Sequence, residues 1–309
     1  MRVLVVGAGA IGGYFGGRML EAGRDVTFLV RPRRRAQLRK DGLVVDSPLG
    51  DIRCPAPTVA AEEINHPWDL ILLACKAYDL AGAIDSLAPA VGPDSMILPL
   101  LNGMAHLDVL DQRFGARAVL GGLCSLAVTL TDDGTVRHLS KSHDFAFGDR
   151  TGDVGRNEAI SQLMAPVAVR WHASTDIIQE MWEKWVFLAA LAAATCLMRG
   201  SVGQILAAGG EATLTAMLAE TDSVAAAAGH AARPDALGAA RRMLTMPGST
   251  LAASMLRDVE KGGRVEVDHV IIDLIRRGKA AGCVLPLLDL AALHLKTYEA
   301  RRDSAAAAA

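Results

Sequence analysis

Three glycines near the start of the chain are spaced for one kind of chemistry. Gly7-Ala8-Gly9-Ala10-Ile11-Gly12 is a G-x-G-x-x-G turn between an apolar, β-branched run, Val3 to Val6, and a helical segment ending near Ala22-Gly23. Each glycine has its own task in a turn that holds a dinucleotide pyrophosphate. Gly7 allows the tight turn, Gly9 lets the backbone approach the phosphates, and Gly12 lets the helix pack close to the strand. Ala10 and Ile11 open the helix, whose first N–H groups and partial positive charge attract the phosphates. A second apolar strand, Asp25 to Val30, completes a βαβ unit.

The end of that second strand indicates which dinucleotide. Sites for NAD place an Asp or Glu about 20 residues past the glycines, to accept hydrogen bonds from the ribose 2′-OH. Here Arg31-Pro32-Arg33-Arg34-Arg35 follows the strand, and the next acid is Asp41. Arginine pairs with a 2′-phosphate through charge-assisted hydrogen bonds. The stretch therefore favours NADPH, with Arg31 as the contact; a solvated basic run at a helix start is the plainer alternative.

Lys184, Ser254 and Glu266 stand out in the second half. Lys184 lies in Glu180-Met181-Trp182-Glu183-Lys184-Trp185-Val186-Phe187, where an amphipathic helix becomes wholly apolar. An ammonium at the rim of a buried region has its pKa lowered by desolvation, toward use in proton transfer. Spacing alone, however, reads all three as surface or capping residues rather than catalytic ones.

The elements that must position these groups follow from the pattern. Apolar strands at Trp68–Lys76 and Met96–Leu101, a short hairpin over Leu43–Ile52, a helix over Ala77–Leu87, one strand within Ala118–Leu130 and a hairpin over Thr135–Gly148 predict an α/β, Rossmann-type doubly wound parallel sheet. Such sheets bind ligands beyond the carboxyl ends of their strands, so Lys76 and Asn102, both at strand ends, are expected to face the cofactor. From Thr175 on, alanine- and leucine-rich segments of 3.6-residue period predict an all-helical second domain, with helices over Thr175–Met198, Glu211–Gly229, Pro234–Met243, Gly248–Lys261, Val265–Ala281 and Pro286–Arg302. The domains are read as 1–173, NADP-binding, and 174–309, for substrate binding and dimerisation.

Composition narrows the class. The 309 residues are 51% hydrophobic with a net charge of −2, which gives no basic excess for nucleic acid. The five cysteines are scattered without C-x-x-C spacing, and the histidines show no metal-ligand spacing. A reduced, cytoplasmic setting without a metal is the simplest reading. The N-terminus carries a functional turn rather than a signal peptide, and Val186–Met198 is short for a membrane span of about 20 residues. The Ala305–Ala309 tail reads as frayed. The apolar composition of the helical domain suggests a homodimer through it.

These residues resemble the ketopantoate reductase (2-dehydropantoate 2-reductase) family over essentially the whole chain. The resemblance rests on Gly7-Ala8-Gly9-Ala10-Ile11-Gly12, Cys75-Lys76-Ala77, Leu101-Asn102-Gly103-Met104, Trp182-Glu183-Lys184, and Ser254-Met255-Leu256-Arg257-Asp258 followed by Glu266-Val267-Asp268. It implies a Rossmann domain and a helical domain with NADPH in the cleft between them, and reduction of 2-dehydropantoate to pantoate for pantothenate biosynthesis. It also implies that Lys184 is the general acid and that Glu266 orients lysine and substrate. Asn102 would contact cofactor and substrate, Ser254 would hold the substrate carboxylate, and Lys76 would help place the nicotinamide. The family helix carries asparagines one and two turns after the lysine, where this chain has Leu188 and Ala192; a third, three residues before the serine, is Leu251. These departures open two alternatives: a same-type reductase for a more apolar 2-oxo acid or ketone, or a non-catalytic dinucleotide-binding regulator. Lys184 with Glu266 argues against the regulator.

Overall fold

The apolar run Val3–Val6 forms β1, fully buried, and lies at the middle of a five-stranded parallel sheet. In chain order the first part continues with α1 (Ala10–Glu21), β2 (Val26–Leu29), α2 (Pro32–Asp41), β3 (Leu43–Asp46), β4 (Ile52–Cys54), β5 (Thr58–Val59), β6 (Leu70–Leu73), α3 (Leu80–Leu87), β7 (Met96–Pro99), α4 (Ala105–Phe114), β8 (Gly121–Ser125), β9 (Val128–Leu130), β10 (Val136–His138), β11 (Asp144–Gly148), α5 (Val154–Met164) and β12 (Arg170–Ala173). The sheet order is β5-β2-β1-β6-β7, with Val3 opposite both Val26 and Leu70. The expected Rossmann-type sheet is therefore present. The structure, a computed structural model, describes residues 1–307. It divides into one unit of Met1–Leu101 with His106–Ile178, and another of Asn102–Ala105 with the chain from Gln179 on.

Helix α1 reads Gly12-Gly13-Tyr14-Phe15-Gly16-Gly17, four glycines that each cost about 1 kcal/mol of helix propensity relative to alanine. Close packing on two sides explains them. A Cβ on Gly16 would lie 2.6 Å from the Phe28 ring, in the parallel sheet. On the opposite face, Cβ atoms on Gly13 and Gly17 would lie 2.8 Å from Val136 and 2.9 Å from Leu43. Those two residues belong to a second sheet, β4-β3-β10-β9, so α1 is held between two sheets.

Two expectations for residues 118–148 are corrected. The alternation over 135–148 is not a hairpin, because β10 belongs to the second sheet and β11 to a third, β12-β11-β8. The single strand expected in 118–130 is two, β8 and β9. Together they form one broken ribbon: β9 pairs antiparallel with β10, and β8 antiparallel with β11. Its turn is Asp133-Gly134, with Gly134 at φ +89°, a dipeptide suited to a left-handed corner.

The second unit contains most of α6 (Ile177–Met198), then α7 (Val202–Ala207), α8 (Glu211–Ala227), α9 (Pro234–Leu244), α10 (Ser254–Glu260), a π-turn at Asp268–Ile272, α11 (Asp273–Ala280) and α12 (Pro286–Ala307). The helical domain is present as expected, with three corrections. At 22 residues α6 is long and apolar enough to cross a membrane, but 67% of its most apolar window is buried inside the protein. It is a core helix. Residues 248–253 are not helical, because the carbonyls of Ser249 and Leu251 accept the N–H groups of Gly203 (2.8 Å) and Val202 (2.9 Å) at the start of α7. The alanine tail is helical through Ala307; Ala308 and Ala309 lie outside the described residues.

A partly buried polar cluster holds α1 to the ribbon. The Tyr14 hydroxyl bonds Nδ1 of His143 (2.9 Å), and Ser47 Oγ meets both Arg18 Nη2 (3.2 Å) and His138 Nδ1 (3.0 Å). Burial lowers the His143 pKa from its usual 6.5, helped by the charges of Arg18, His138 and Arg170 and opposed by Asp144. The folded state thus keeps His143 neutral where the unfolded chain already binds a proton. Its contribution is present above pH 6.5 and lost as pH falls below that value. The thermal unfolding midpoint should fall between pH 7.5 and 5.5, and His143→Gln should flatten the fall; an identical pH profile for the two proteins would contradict this.

Candidate active site

The dinucleotide half is built at the carboxyl end of β1. Gly7 turns the chain at φ +94°, and its N–H bonds the Leu29 carbonyl at the end of β2 (3.0 Å). A Cβ on Gly12 would sit 2.0 Å from the Gly7 oxygen, whereas a Cβ on Gly9 would meet nothing within 4 Å. Gly12 is therefore required by packing, while the space above Gly9 is open. Ala10 and Ile11 begin α1, which has neither a side-chain cap nor an acid in its first turn. An uncapped helix start beside an open glycine suits a pyrophosphate, so the residues present fit a dinucleotide.

The basic run divides three ways. Arg31 precedes α2 and pairs with Asp79 Oδ1 at 3.0 Å, its side chain 74% exposed. Arg35 pairs with Glu63 (2.6 Å). Arg34 turns inward, donating from Nε to the Ala8 carbonyl inside the glycine turn (2.9 Å) and from Nη1 to the Gly134 carbonyl (2.8 Å). Arg34 thus braces the glycine turn, a role that a run of four arginines within five residues does not reveal. Lys76 follows β6 and opens a 3-10 turn, Ala77–Asp79, by accepting the Asp79 N–H at its carbonyl (2.9 Å).

The second unit gathers another set. Lys184 Nζ donates to Asn102 Oδ1 at 3.1 Å. Asn102-Gly103 is a tight turn: Gly103 has φ +75°, and a Cβ there would lie 2.5 Å from the His269 carbonyl oxygen. His269 lies in the π-turn that follows Glu266, whose own carbonyl accepts the N–H groups of His269 (3.2 Å) and Val270 (3.0 Å). Glu266 is buried, 9% exposed. The structure thus brings Asn102, Lys184 and the Glu266 segment together.

Four consecutive residues of α6 fix the lysine by pointing in different directions. Trp182 stacks on His230, with ring centroids 5.7 Å apart. Glu183 takes two side-chain bonds from Arg233 (2.6 and 2.7 Å) and one from its backbone N–H (3.0 Å). Burial alone would raise the Glu183 pKa; the bonds from Arg233 and Gln179 and the Arg233 charge bring it below the usual carboxylate value. Lys184 reaches Asn102, and the Trp185 indole N–H donates to the Val270 carbonyl in the π-turn (2.8 Å). Ser254 is the first residue of α10, and the preceding Ala253 N–H bonds Thr195 on α6 (3.4 Å).

Comparison with known proteins agrees with this arrangement. Residues 3–152 match the family model "Ketopantoate reductase PanE/ApbA", and residues 176–299 match its C-terminal counterpart. The chain belongs to the ketopantoate reductase family. Its members are NAD(P)H-binding oxidoreductases acting on CH–OH groups. Among relatives, an uncharacterized oxidoreductase, YkpB, of Bacillus subtilis is 37% identical over 98% of this chain and 100% of its own. A solved 2-dehydropantoate 2-reductase from Geobacter metallireducens superposes with a TM-score of 0.87 at 26% identity, over 96% of this chain and 99% of that one. D-mandelate dehydrogenase, solved with NADH and anilino(oxo)acetate, shares the fold with a TM-score of 0.88 at 18% identity, over 98% of this chain and 100% of that one.

Within this ketopantoate reductase fold, the positions where the family carries asparagines are apolar. Leu188 is half-buried, Ala192 is 1% exposed, and Leu251 is half-buried with its carbonyl committed to Val202. Two nearby hydroxyls are already engaged. Thr195 is fully buried and donates to the Leu191 carbonyl (2.7 Å), while Ser201 caps α7. Gly103→Ala should strain the turn by about 1–3 kcal/mol and displace Asn102 from Lys184. We expect kcat to fall by roughly tenfold or more; unchanged kcat would show that the turn does not position the lysine.

Proposed function

We propose that this chain is an NADPH-dependent reductase that converts a 2-oxo acid to the 2-hydroxy acid, with 2-dehydropantoate, and hence pantothenate biosynthesis, as the first candidate. The observation that carries the reading is the hydrogen bond between Lys184 and Asn102, on a chain whose other unit carries a dinucleotide turn. NADPH, when bound, supplies the hydride. The residues of the chain do the rest. Gly7, Gly9, Ala10, Ile11 and Gly12 cradle the pyrophosphate, Arg31 takes the 2′-phosphate, and Lys76 helps orient the nicotinamide. Lys184 stabilises the alkoxide that develops on the substrate carbonyl oxygen and then protonates it. Asn102 aims the ammonium, Glu266 orients lysine and substrate, and Ser254 holds the substrate carboxylate.

Lys184→Ala should lower kcat by roughly 10²–10⁴-fold while the NADPH dissociation constant, measured by calorimetry, stays nearly unchanged. An alanine variant with most of its activity would reduce Lys184 to a rim residue whose stem covers apolar surface.

A second reading concerns the substrate. Leu188, Ala192 and Leu251 leave fewer partners for the hydroxyl of 2-dehydropantoate, and Thr195 is already engaged. In support, D-mandelate dehydrogenase, which shares the fold, was solved with anilino(oxo)acetate, a carboxylate that carries an aromatic ring. Burying a hydroxyl without a partner costs on the order of 1–3 kcal/mol. A branched apolar acid such as 2-oxoisovalerate should therefore come within about a thousandfold of 2-dehydropantoate in kcat/KM with NADPH. A larger preference, above ~4 kcal/mol, would mean that other groups have replaced the asparagines and the substrate is 2-dehydropantoate.

A further inference from the structure

The acid missing from the end of β2 is supplied from a different strand. Arg31 follows β2 and Asp79 follows β6, and these strands flank β1 on either side. Their side chains nevertheless meet, with Arg31 Nη2 3.0 Å from Asp79 Oδ1. The ion pair therefore crosses two strand spacings, about 10 Å, at the carboxyl end of β1, where the chain turns through Gly7–Gly12. That is where a Rossmann sheet receives the adenosine half of a dinucleotide. The pair is accessible from solvent, the side chains being 74% and 30% exposed. Asp79 is also the N-cap residue of α3, yet its carboxylate makes no capping bond to the helix. The other arginines close to Arg31 in sequence are differently employed, Arg34 on the Ala8 and Gly134 carbonyls and Arg35 on Glu63.

We infer that Asp79 is a specificity-determining residue for the dinucleotide, acting with Arg31 as a pair that reads the ribose 2′ position. The inference rests on the reading of the first unit as a dinucleotide site. A 2′-phosphate bound by Arg31 lies one guanidinium away from the Asp79 carboxylate, and the two negative charges oppose each other. A 2′-hydroxyl has the opposite preference: it donates to the carboxylate, the bond that an acid at the end of β2 makes in NAD sites. The same ion pair thus weakens NADPH and assists NADH. Arg31 sets the preference for NADPH, Asp79 holds that preference down, and both dinucleotides are accepted.

The test is calorimetric titration of the full chain, without substrate, with NADPH and NADH, comparing the unmodified protein with Asp79→Asn. Asparagine matches aspartate in shape and is no less suited to a helix start; Asp79→Ser serves as a second neutral variant. The expected result is that the ratio of the NADH to the NADPH dissociation constant rises at least fivefold in both variants. The fragments 5′-AMP and 2′,5′-ADP should show the same change. A merely structural role for Asp79 would move both dinucleotides together and leave the ratio within twofold, which would overturn the inference, as would a fall in the ratio. If the unmodified protein binds neither dinucleotide, the reading of the first unit fails, and the inference with it. Intact binding with an unchanged ratio removes Asp79 alone.

Discussion

The hydrogen bond from Lys184 to Asn102 is the contact on which the catalytic reading depends. A lysine in the apolar stretch of a core helix must have an acceptor for its ammonium, because an unpaired charge there is strongly disfavoured. Asn102 supplies one, and it can do so only because the next residue is a glycine. Gly103 lets the backbone turn at φ +75° against the His269 carbonyl, in a space that a Cβ would fill. The π-turn is fixed in its own right, since Val270 accepts from Trp185 while the Glu266 carbonyl accepts from the turn's N–H groups. Because Trp185 directly follows Lys184, the lysine and its acceptor are referred to the same piece of backbone. The Glu183–Arg233 ion pair secures the preceding residue. A proton donor needs this kind of stiffness, since its rate contribution depends on a well-defined distance to the developing alkoxide.

What was legible in the sequence was whatever is encoded locally. The G-x-G-x-x-G turn, the buried strands around it and the long apolar α6 each carry a short-range signature, and each is present. What was hidden depends on long-range pairing. The glycines at 13 and 17 register a second sheet that no local pattern announces. The ribbon of Gly121–Gly148 is not legible locally, because alternation shows that a strand has two faces without showing its partner. Asp133-Gly134 was the available signal for its turn. The stretch 248–253 looked helical by composition, but its carbonyls cap α7 instead.

The candidate site divides along the same line. Gly7, Gly9 and Gly12 could be assigned tasks from spacing alone; the structure gives Gly7 a positive φ and Gly12 a steric reason, and leaves open space above Gly9. Lys184, Ser254 and Glu266 could not be chosen from spacing, since single polar residues at helix starts and rims are common. Their selection came from the resemblance to the ketopantoate reductase family, to which the chain belongs. Arg34 and Asp79 were invisible to both approaches. One is a member of a basic run that divides three ways on folding; the other is an acid 48 positions from the arginine it meets. The Arg31–Asp79 pair therefore joins two strand ends that no local pattern links.

The central claim is that Lys184 and Asn102 act as one unit in proton delivery. A double-mutant cycle on kcat tests it most directly, using Lys184→Ala, Asn102→Ala and the double variant with NADPH and the best 2-oxo acid. If the asparagine works by aiming the lysine, its removal should matter little once the lysine is gone, and the double variant should be about as slow as Lys184→Ala alone. Losses that multiply, so that the double variant is slower by the product of the two single effects, would show independent roles and contradict the account.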